Sequence, residues 1–223
     1  AEDIAATTKR HPSRTRHRTA VSAEGRLLAM EIDFTIDGGA YSTLSPVVLS
    51  RGTIHAAGPY HCENVLIHSR AVATNYPPHG AFRGFGAPQS IFALERHMDR
   101  IARTIGLDPA ELRRRNFLQR GQSTATGQVI REDLDLAGIL NRAIAESGYD
   151  EKRKRFPAEN RGGKILKGVG LAAFLHGAGF TGSGERYLQS VAGVEASSDG
   201  RVRILVSSSE MGQGSNTVLC QIA

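Results

Sequence analysis

Between residues 27 and 36 apolar and polar side chains alternate, with Leu28, Met30, Ile32, Phe34 and Ile36 on one side and Ala29, Glu31, Asp33 and Thr35 on the other. A period of two is that of a half-buried strand. DGG at 37–39 supplies turn chemistry behind it. Residues 64–74, NVLIHSRAVAT, predict a second strand, and NYPPHG at 75–80 ends it because consecutive prolines cannot continue a ladder. The period then lengthens. From Pro88 to Ile105 the residues Ile91, Phe92, Leu94, Met98, Ile101 and Ile105 form an apolar stripe, with Arg96, Arg100 and Arg103 off it, which predicts an amphipathic helix. Pro88 suits its first turn and Gly106 its stop. Asp108 before Pro109 caps a short helix over about 109–116. Residues 121–132 read as a loop. Asp135 caps a further helix through Ser147, with Leu136, Ile139, Leu140 and Ile144 as its apolar face.

ENRGGK at 159–164 is rich in turn formers, and the pattern changes after it. ILKGVGLAAFL, LQSVAGVEA and RVRILVS read as strands, with SSDGR as a hairpin turn between the last two. A helix begins after Gly214. Strands, then helices, then strands again predict an α+β protein with a seam near 158–164, hence two domains, 1–158 and 159–223.

The chain has 223 residues, 40% of them hydrophobic, enough to bury a core and too many for wholesale disorder. No apolar run approaches the length of a membrane span. The first residues, AEDIAATTKRHP, are polar and charged, so no signal peptide is predicted. Cys62 and Cys220 show neither CxxC nor Cys/His metal spacing, so neither a disulfide framework nor a structural zinc site is expected; both read as small buried residues. His11, His55, His79 and His176 are scattered and read as packing or loop residues. The net charge of +6 is clustered in KRHPSRTRHR at 9–18, RRR at 113–115 and KRKR at 152–155. Such runs are read as solvated faces or as surfaces that meet an acidic partner subunit. The alternative is a basic nucleic-acid or anion-binding protein without catalysis, but no aromatic residue is interleaved and no nucleic-acid motif accompanies the runs. The chain does not begin with Met and stops in SNTVLCQIA, the opening turns of a helix, which predicts an interior piece of a longer polypeptide.

Two glycine-rich loops carry the chemistry. GAFRGFGAPQ at 80–89 and SEMGQGSN at 209–216 each precede a helix. Glycine allows positive φ and close approach of the backbone to a ligand, at a folding cost of about 0.5–1 kcal/mol relative to alanine. A helix N-terminus offers free amide donors and partial positive charge to an anion. Arg83 adds a fork of donors and Gln213 a neutral donor–acceptor pair. The same glycines also fit plain turns, and the G-x-G spacing alone leaves both readings open.

AFRGFGAPQ before a helix, DPAELRRRNF after it, and EMGQG before another helix resemble the molybdenum-binding large subunit of the xanthine dehydrogenase/aldehyde oxidase family. TTKRHP at 7–12, a strand followed by DGGAY, SRGTIHAAGPY at 50–60 and TNYPPHGAFRGFG fall in matching order, so the resemblance spans nearly the whole chain. It implies a molybdopterin that holds molybdenum, often as the cytosine dinucleotide. It implies oxidative hydroxylation of an aldehyde or N-heteroaromatic with oxygen from water. Electrons would leave through iron–sulfur clusters to FAD on partner subunits or domains, in an assembly that dimerises, works in the cytoplasm or the periplasm, and binds no nucleic acid. Position by position, it places Phe82 and Arg83 on the molybdenum–pterin side, and Met211, Gly212, Gln213 and Gly214 on the pterin and its phosphate tail. Phe85 and Phe180 would meet the faces or edge of a flat substrate, and Thr181 would bond a substrate oxygen. Arg51 matches the arginine that xanthine-oxidising members set over the substrate, which tilts the expectation toward a purine-like or anionic heteroaromatic.

The chain also departs from that pattern. The family's FGGK-type and GxGE-type motifs, which carry its two catalytic glutamates, are not in these residues, and Glu185 does not match the base. Loss of a general base typically costs 10²–10⁴-fold in rate, so these residues alone are expected to be inactive. Carbon monoxide dehydrogenases carry a copper-ligating cysteine in the loop where this chain has Gly84, which argues against that activity.

Overall fold

The computed structural model describes residue 2 and residues 7–177, 190–210 and 212–223. The chain forms two compact units, Ala1–His176 and Gly177–Ala223. The first unit runs β1 (Ser13–Val21), β2 (Leu27–Gly39), α1 (Ser45–Ile54), β3 (Asn64–Ala73), α2 (Ala87–Ile105), α3 (Pro109–Asn116), α4 (Leu136–Ser147) and α5 (Tyr149–Glu159). Its sheet has the order β1-β2-β3. β1 pairs antiparallel to β2, and β3 parallel to it. Parallel neighbours need a crossover connection, and α1 lies on it.

β1 is the basic run that the sequence presents as a solvated surface. Its inward side is Thr15, His17, Thr19 and Val21, half-buried, while Arg14, Arg16 and Arg18 face solvent. The alternation is strand-like, but three of its four inward positions are polar, so no hydrophobic period marks it. Arg16 and Arg18 pair across the sheet with Asp33 and Glu31 at 3.0 and 3.1 Å.

β2 is the buried spine expected from its alternation, with one correction. The pairing steps from Ala20↔Ala29 to Val21↔Leu27, so Leu28 is the extra residue of a bulge. Leu28 therefore faces outward and Leu27 is buried in its place. A similar correction applies to α2. Leu94, Met98 and Ile101 are buried, but Phe92 is exposed. It precedes Leu94 by two residues, about 200° around the helix. In α4, Leu140 is buried and its neighbour Ile139 is exposed for the same angular reason. The capping expectations hold: Asp108 accepts from the Ala110 and Glu111 amides, Asp135 accepts from the Gly138 amide, and Gly106 ends α2 in the left-handed conformation.

The main core joins β2 (Met30, Ile32), α2 (Leu94, Met98) and α3 (Leu112), with Tyr60 and Phe117. A smaller cluster of Phe34, Ile36 and Val48 lies where β2 meets α1. The run KRKR lies on α5, a helix that the sequence pattern does not announce because it carries Pro157. Residues 165–175 form no strand. Leu171 and Ala173 pack on the core, and the Ala173 amide donates to Glu95 Oε2 at 2.8 Å, so a side chain rather than a neighbouring strand fixes the segment.

In the second unit β4 (Gly193–Ala196) and β5 (Val202–Leu205) form an antiparallel hairpin around SSDGR, and α6 spans Ser215–Ile222. β4 is shorter than the sequence suggests because β5 offers it only four partners. Cys62 is half-buried, and Cys220, on α6, is exposed rather than buried.

Candidate cofactor-binding site

The loop before α2 owes its shape to three consecutive residues with positive φ: Gly84 at 88°, Phe85 at 50° and Gly86 at 101°. Phe85 is the only such non-glycine residue among those described. For a bulky side chain this is a strained conformation, of the kind that persists only where its surroundings hold it. Two turns close the loop, Phe85 N–H to the Phe82 carbonyl at 2.8 Å and Ala87 N–H to the Gly84 carbonyl at 3.1 Å. A Cβ on Gly86 would lie 2.1 Å from the Val48 carbonyl oxygen, and one on Gly52 would lie 3.2 Å from the Gly86 carbonyl oxygen. The glycines thus let the main chains of α1 and this loop touch.

The side chains of the loop divide. Phe85 packs against the cluster of Phe34, Ile36 and Val48. Phe82 is half-exposed, with the Arg10 guanidinium 4.8 Å above its ring. Arg83 is exposed, and its carbonyl accepts from Arg10 Nη2 at 2.6 Å. Arg51 lies in the last turn of α1, beside Gly52, and burial holds its pKa below the ordinary value. Arg51 and Phe85 therefore flank the junction of α1 with the loop, while Phe82 and Arg83 stand at the loop's exposed start beside Arg10.

Two histidines that look unrelated in sequence complete this junction. His55 Nδ1–H donates to the Arg51 carbonyl at 2.7 Å. Its ring stacks on His176 at 5.2 Å, and His176 Nε2–H reaches the Gly84 carbonyl at 3.4 Å. Burial, then the neighbouring His176 and Arg51, lower the His55 pKa against the raising effect of its bond to the Arg51 carbonyl. Their separation along the chain hides the pair from any spacing argument.

The second loop is built around a carboxylate. Gly212 and Gly214 both have φ of 87°. Glu210 Oε1 accepts from the Gly212 amide at 2.7 Å and the Gly214 amide at 3.1 Å, while Oε2 accepts from the Asn216 amide at 3.1 Å. These bonds, that from Gly214 foremost, hold the Glu210 pKa below the usual glutamate value. Gln213 Nε2 donates to the Ser209 carbonyl at 2.7 Å and to Ser215 Oγ at 2.5 Å. Glu210 is the residue that sequence reasoning passed over, although its place two residues before the first glycine is the signal. Phe180, Thr181, Met211 and Glu185 lie outside the described residues.

The donor set bears directly on a phosphate-bearing cofactor. Three backbone N–H groups converge on the chain's own Glu210 carboxylate, so they are donors that suit an oxyanion but are taken by Glu210 here, and a phosphate would have to displace that side chain. A Cβ on Gly214 would meet nothing within 4 Å, so the backbone is open to close approach. With Glu210 turned away, the donor type and the open backbone at Gly214 suit such a group. Among the described residues no group of three or more His, Cys, Asp or Glu is placed to hold a metal ion. No helix among them is long and apolar enough to cross a membrane.

Known proteins resemble this chain in sequence and fold. The chain is 37% identical over 156 residues to the nicotinate dehydrogenase large molybdopterin subunit of Eubacterium barkeri, which covers 68% of this chain and 37% of that protein. It is 36% identical to a probable xanthine dehydrogenase subunit of Bacillus subtilis, over 99% of this chain and 29% of that one. The crystal structure of the aldehyde oxidoreductase from Desulfovibrio desulfuricans superposes with a TM-score of 0.75 at 35% identity, over 89% of this chain and 21% of that chain. The chain thus spans well under half the length of each of these relatives. Two family models described as molybdopterin cofactor-binding domain match residues 1–117 and 142–223. On that match, over more than half of its residues, the chain belongs to the molybdopterin cofactor-binding domain family.

Proposed function

We propose that this chain supplies the cofactor- and substrate-facing loops of a molybdenum hydroxylase, which hydroxylates an aldehyde or N-heteroaromatic with oxygen from water. The observation that carries the reading is the match of residues 1–117 and 142–223 to molybdopterin cofactor-binding domains, and the loop SEMGQGSN within the second match gathers three amides that could serve an oxyanion once Glu210 is displaced. Gly212, Gln213 and Gly214, with Met211, hold the pterin and its phosphate tail, and Phe82 and Arg83 line its metal-bearing side. The metal is carried by the cofactor's own ligands. When bound, this group supplies the two-electron oxidant at which the substrate carbon is hydroxylated.

This chain's own residues bind and orient. Phe85 and Phe180 flank a flat substrate, and Thr181 bonds one of its oxygens. The Arg51 guanidinium lies over the substrate and stabilises negative charge as it develops, which favours a purine-like or anionic heteroaromatic. A charge-assisted bond of this type contributes about 1.5–3 kcal/mol. Arg51→Met is therefore expected to lower kcat/KM for such a substrate roughly 10- to 100-fold, while an uncharged aldehyde is affected less. We propose further that the molybdopterin is bound with or without a cytosine dinucleotide, and that electrons pass to iron–sulfur clusters and FAD on partner subunits or domains of a dimeric assembly in the cytoplasm or the periplasm. We propose 158–164 as the boundary between the two cofactor-binding domains, inside the second family match and upstream of the division of the two compact units at His176–Gly177.

Gln213→Ala in the full-length protein tests the assignment. Molybdenum per polypeptide should fall severalfold with folding intact. Unchanged molybdenum content would mean that the loop only packs.

A further inference from the structure

We infer that Arg10 is a positioning residue: its guanidinium tethers the loop 82–86 from outside and sets the direction in which Arg83 projects. The inference rests on the reading of that loop as cofactor-facing, but the tether itself is a separate claim. One planar fork makes three contacts. Arg10 Nη2–H donates to the Arg83 carbonyl at 2.6 Å, Nη1–H reaches Gln89 Oε1 at 3.4 Å, and the guanidinium lies 4.8 Å from the Phe82 ring centre. Phe82 and Arg83 begin the loop, and Gln89 stands in the first turn of α2, so one side chain spans both of its ends.

The segment carrying Arg10 is itself anchored. Gln89 Nε2–H returns a bond to the His11 carbonyl at 3.3 Å, and His11 Nε2 bonds Ser45 Oγ at 2.8 Å at the start of α1. The Gly80 amide donates to the Lys9 carbonyl at 3.1 Å. A loop with three consecutive positive-φ residues, one of them phenylalanine, does not keep its shape by local preference alone. The tether supplies the missing constraint from the RHP segment. Lysine offers a point charge without the fork or the flat face, so it can replace only part of these contacts.

The test compares Arg10→Ala and Arg10→Lys with Arg16→Ala, which removes the same charge from the open face of the sheet. The first readout is amide exchange in the full-length protein isolated without cofactor. Arg10→Ala should speed exchange at 82–87 by about tenfold or more, with Arg10→Lys intermediate and Arg16→Ala unchanged. Unchanged exchange in Arg10→Ala overturns the inference, and so does acceleration that spreads equally to 94–101 in the interior of α2, which marks general loss of packing. The second readout is molybdenum content and the Mo(V) resonance of the loaded enzyme. Both should change in Arg10→Ala and recover in part in Arg10→Lys; wild-type values in Arg10→Ala overturn the positioning role. A wild-type protein that takes up no molybdenum defeats the cofactor reading, and the exchange readout still decides the tether.

Discussion

At Gly86 the main chain of α1 stands where a side chain would begin. A Cβ there would sit 2.1 Å from the Val48 oxygen, on a residue whose φ is 101°. Gly86→Ala is expected to cost at least about 3 kcal/mol in urea unfolding, the range reached only by steric or backbone conflict in the core. Gly106→Ala makes the contrast. Its φ is 70°, but nothing lies within 4 Å, so only the left-handed conformation is penalised, at about 1 kcal/mol. A second expectation concerns Glu210. Because three amides stabilise its charged form, the Gly212, Gly214 and Asn216 amide resonances should titrate together, at a midpoint below that of an ordinary glutamate. Glu210→Gln should abolish that shared titration. At this scale the sequence was partly legible. Glycines before a helix pointed to bare backbone in both loops, yet one set is used to let two main chains touch and the other to gather amides on a neighbouring acid. Nothing in the letters separates those uses.

Among the elements, the packing of α2 on α3 turns on one buried arginine. Arg113, fully buried, donates through Nε to Glu95 Oε2 at 2.9 Å and through Nη2 reaches Asp99 at 3.0 Å. Tyr60 donates its hydroxyl to the other oxygen of Glu95 at 2.5 Å, and burial, then the charge of Glu95, push the Tyr60 pKa well up. Arg113→Ala would strand the Glu95 carboxylate and is expected to cost about 3–5 kcal/mol in chemical denaturation. Arg115→Ala, which loses a partly exposed bond to Glu111 and an exposed one to the Glu24 carbonyl, should cost about 1 kcal/mol, well below the buried case. The sequence presents RRR as one charged surface run, but successive helical residues point about 100° apart, so the first turns inward and the others outward. Strong periodicity made β2 and α2 legible, and capping residues made α3 and α4 so. β1 and α1 were missed for opposite reasons. The inward face of β1 is polar, and α1 interrupts its apolar positions with serine, glycine and threonine. The expected strand at 165–175 failed because apolar alternation reports burial, not which group satisfies the backbone.

For the molecule as a whole, acid should act through its histidines. Burial foremost, and then stacked His97 at 4.9 Å, lower the His17 pKa to about 4. Burial also lowers His11, His55 and His97, the last with a further push from nearby Arg100. Each binds a proton more readily unfolded than folded, so their contribution is complete above about pH 6.5 and is lost as pH falls toward 4. His17 alone should account for on the order of 2 kcal/mol of that loss. Urea unfolding at pH 7, 5.5 and 4.5 would show it, with His17→Phe flattening the slope; a wild-type stability that is level across this window refutes the assignment. The contact of Gly52 with Gly86 has a further consequence. Because main chain meets main chain there, the closeness of the loop to α1 at this point does not depend on the side chain of Arg51. Arg51 can then be exchanged without opening that contact, whereas Phe85, packed on Phe34, Ile36 and Val48 at a positive φ, is part of the scaffold itself; new substrate preferences are therefore expected to arise by single replacements at Arg51 that leave cofactor capture intact.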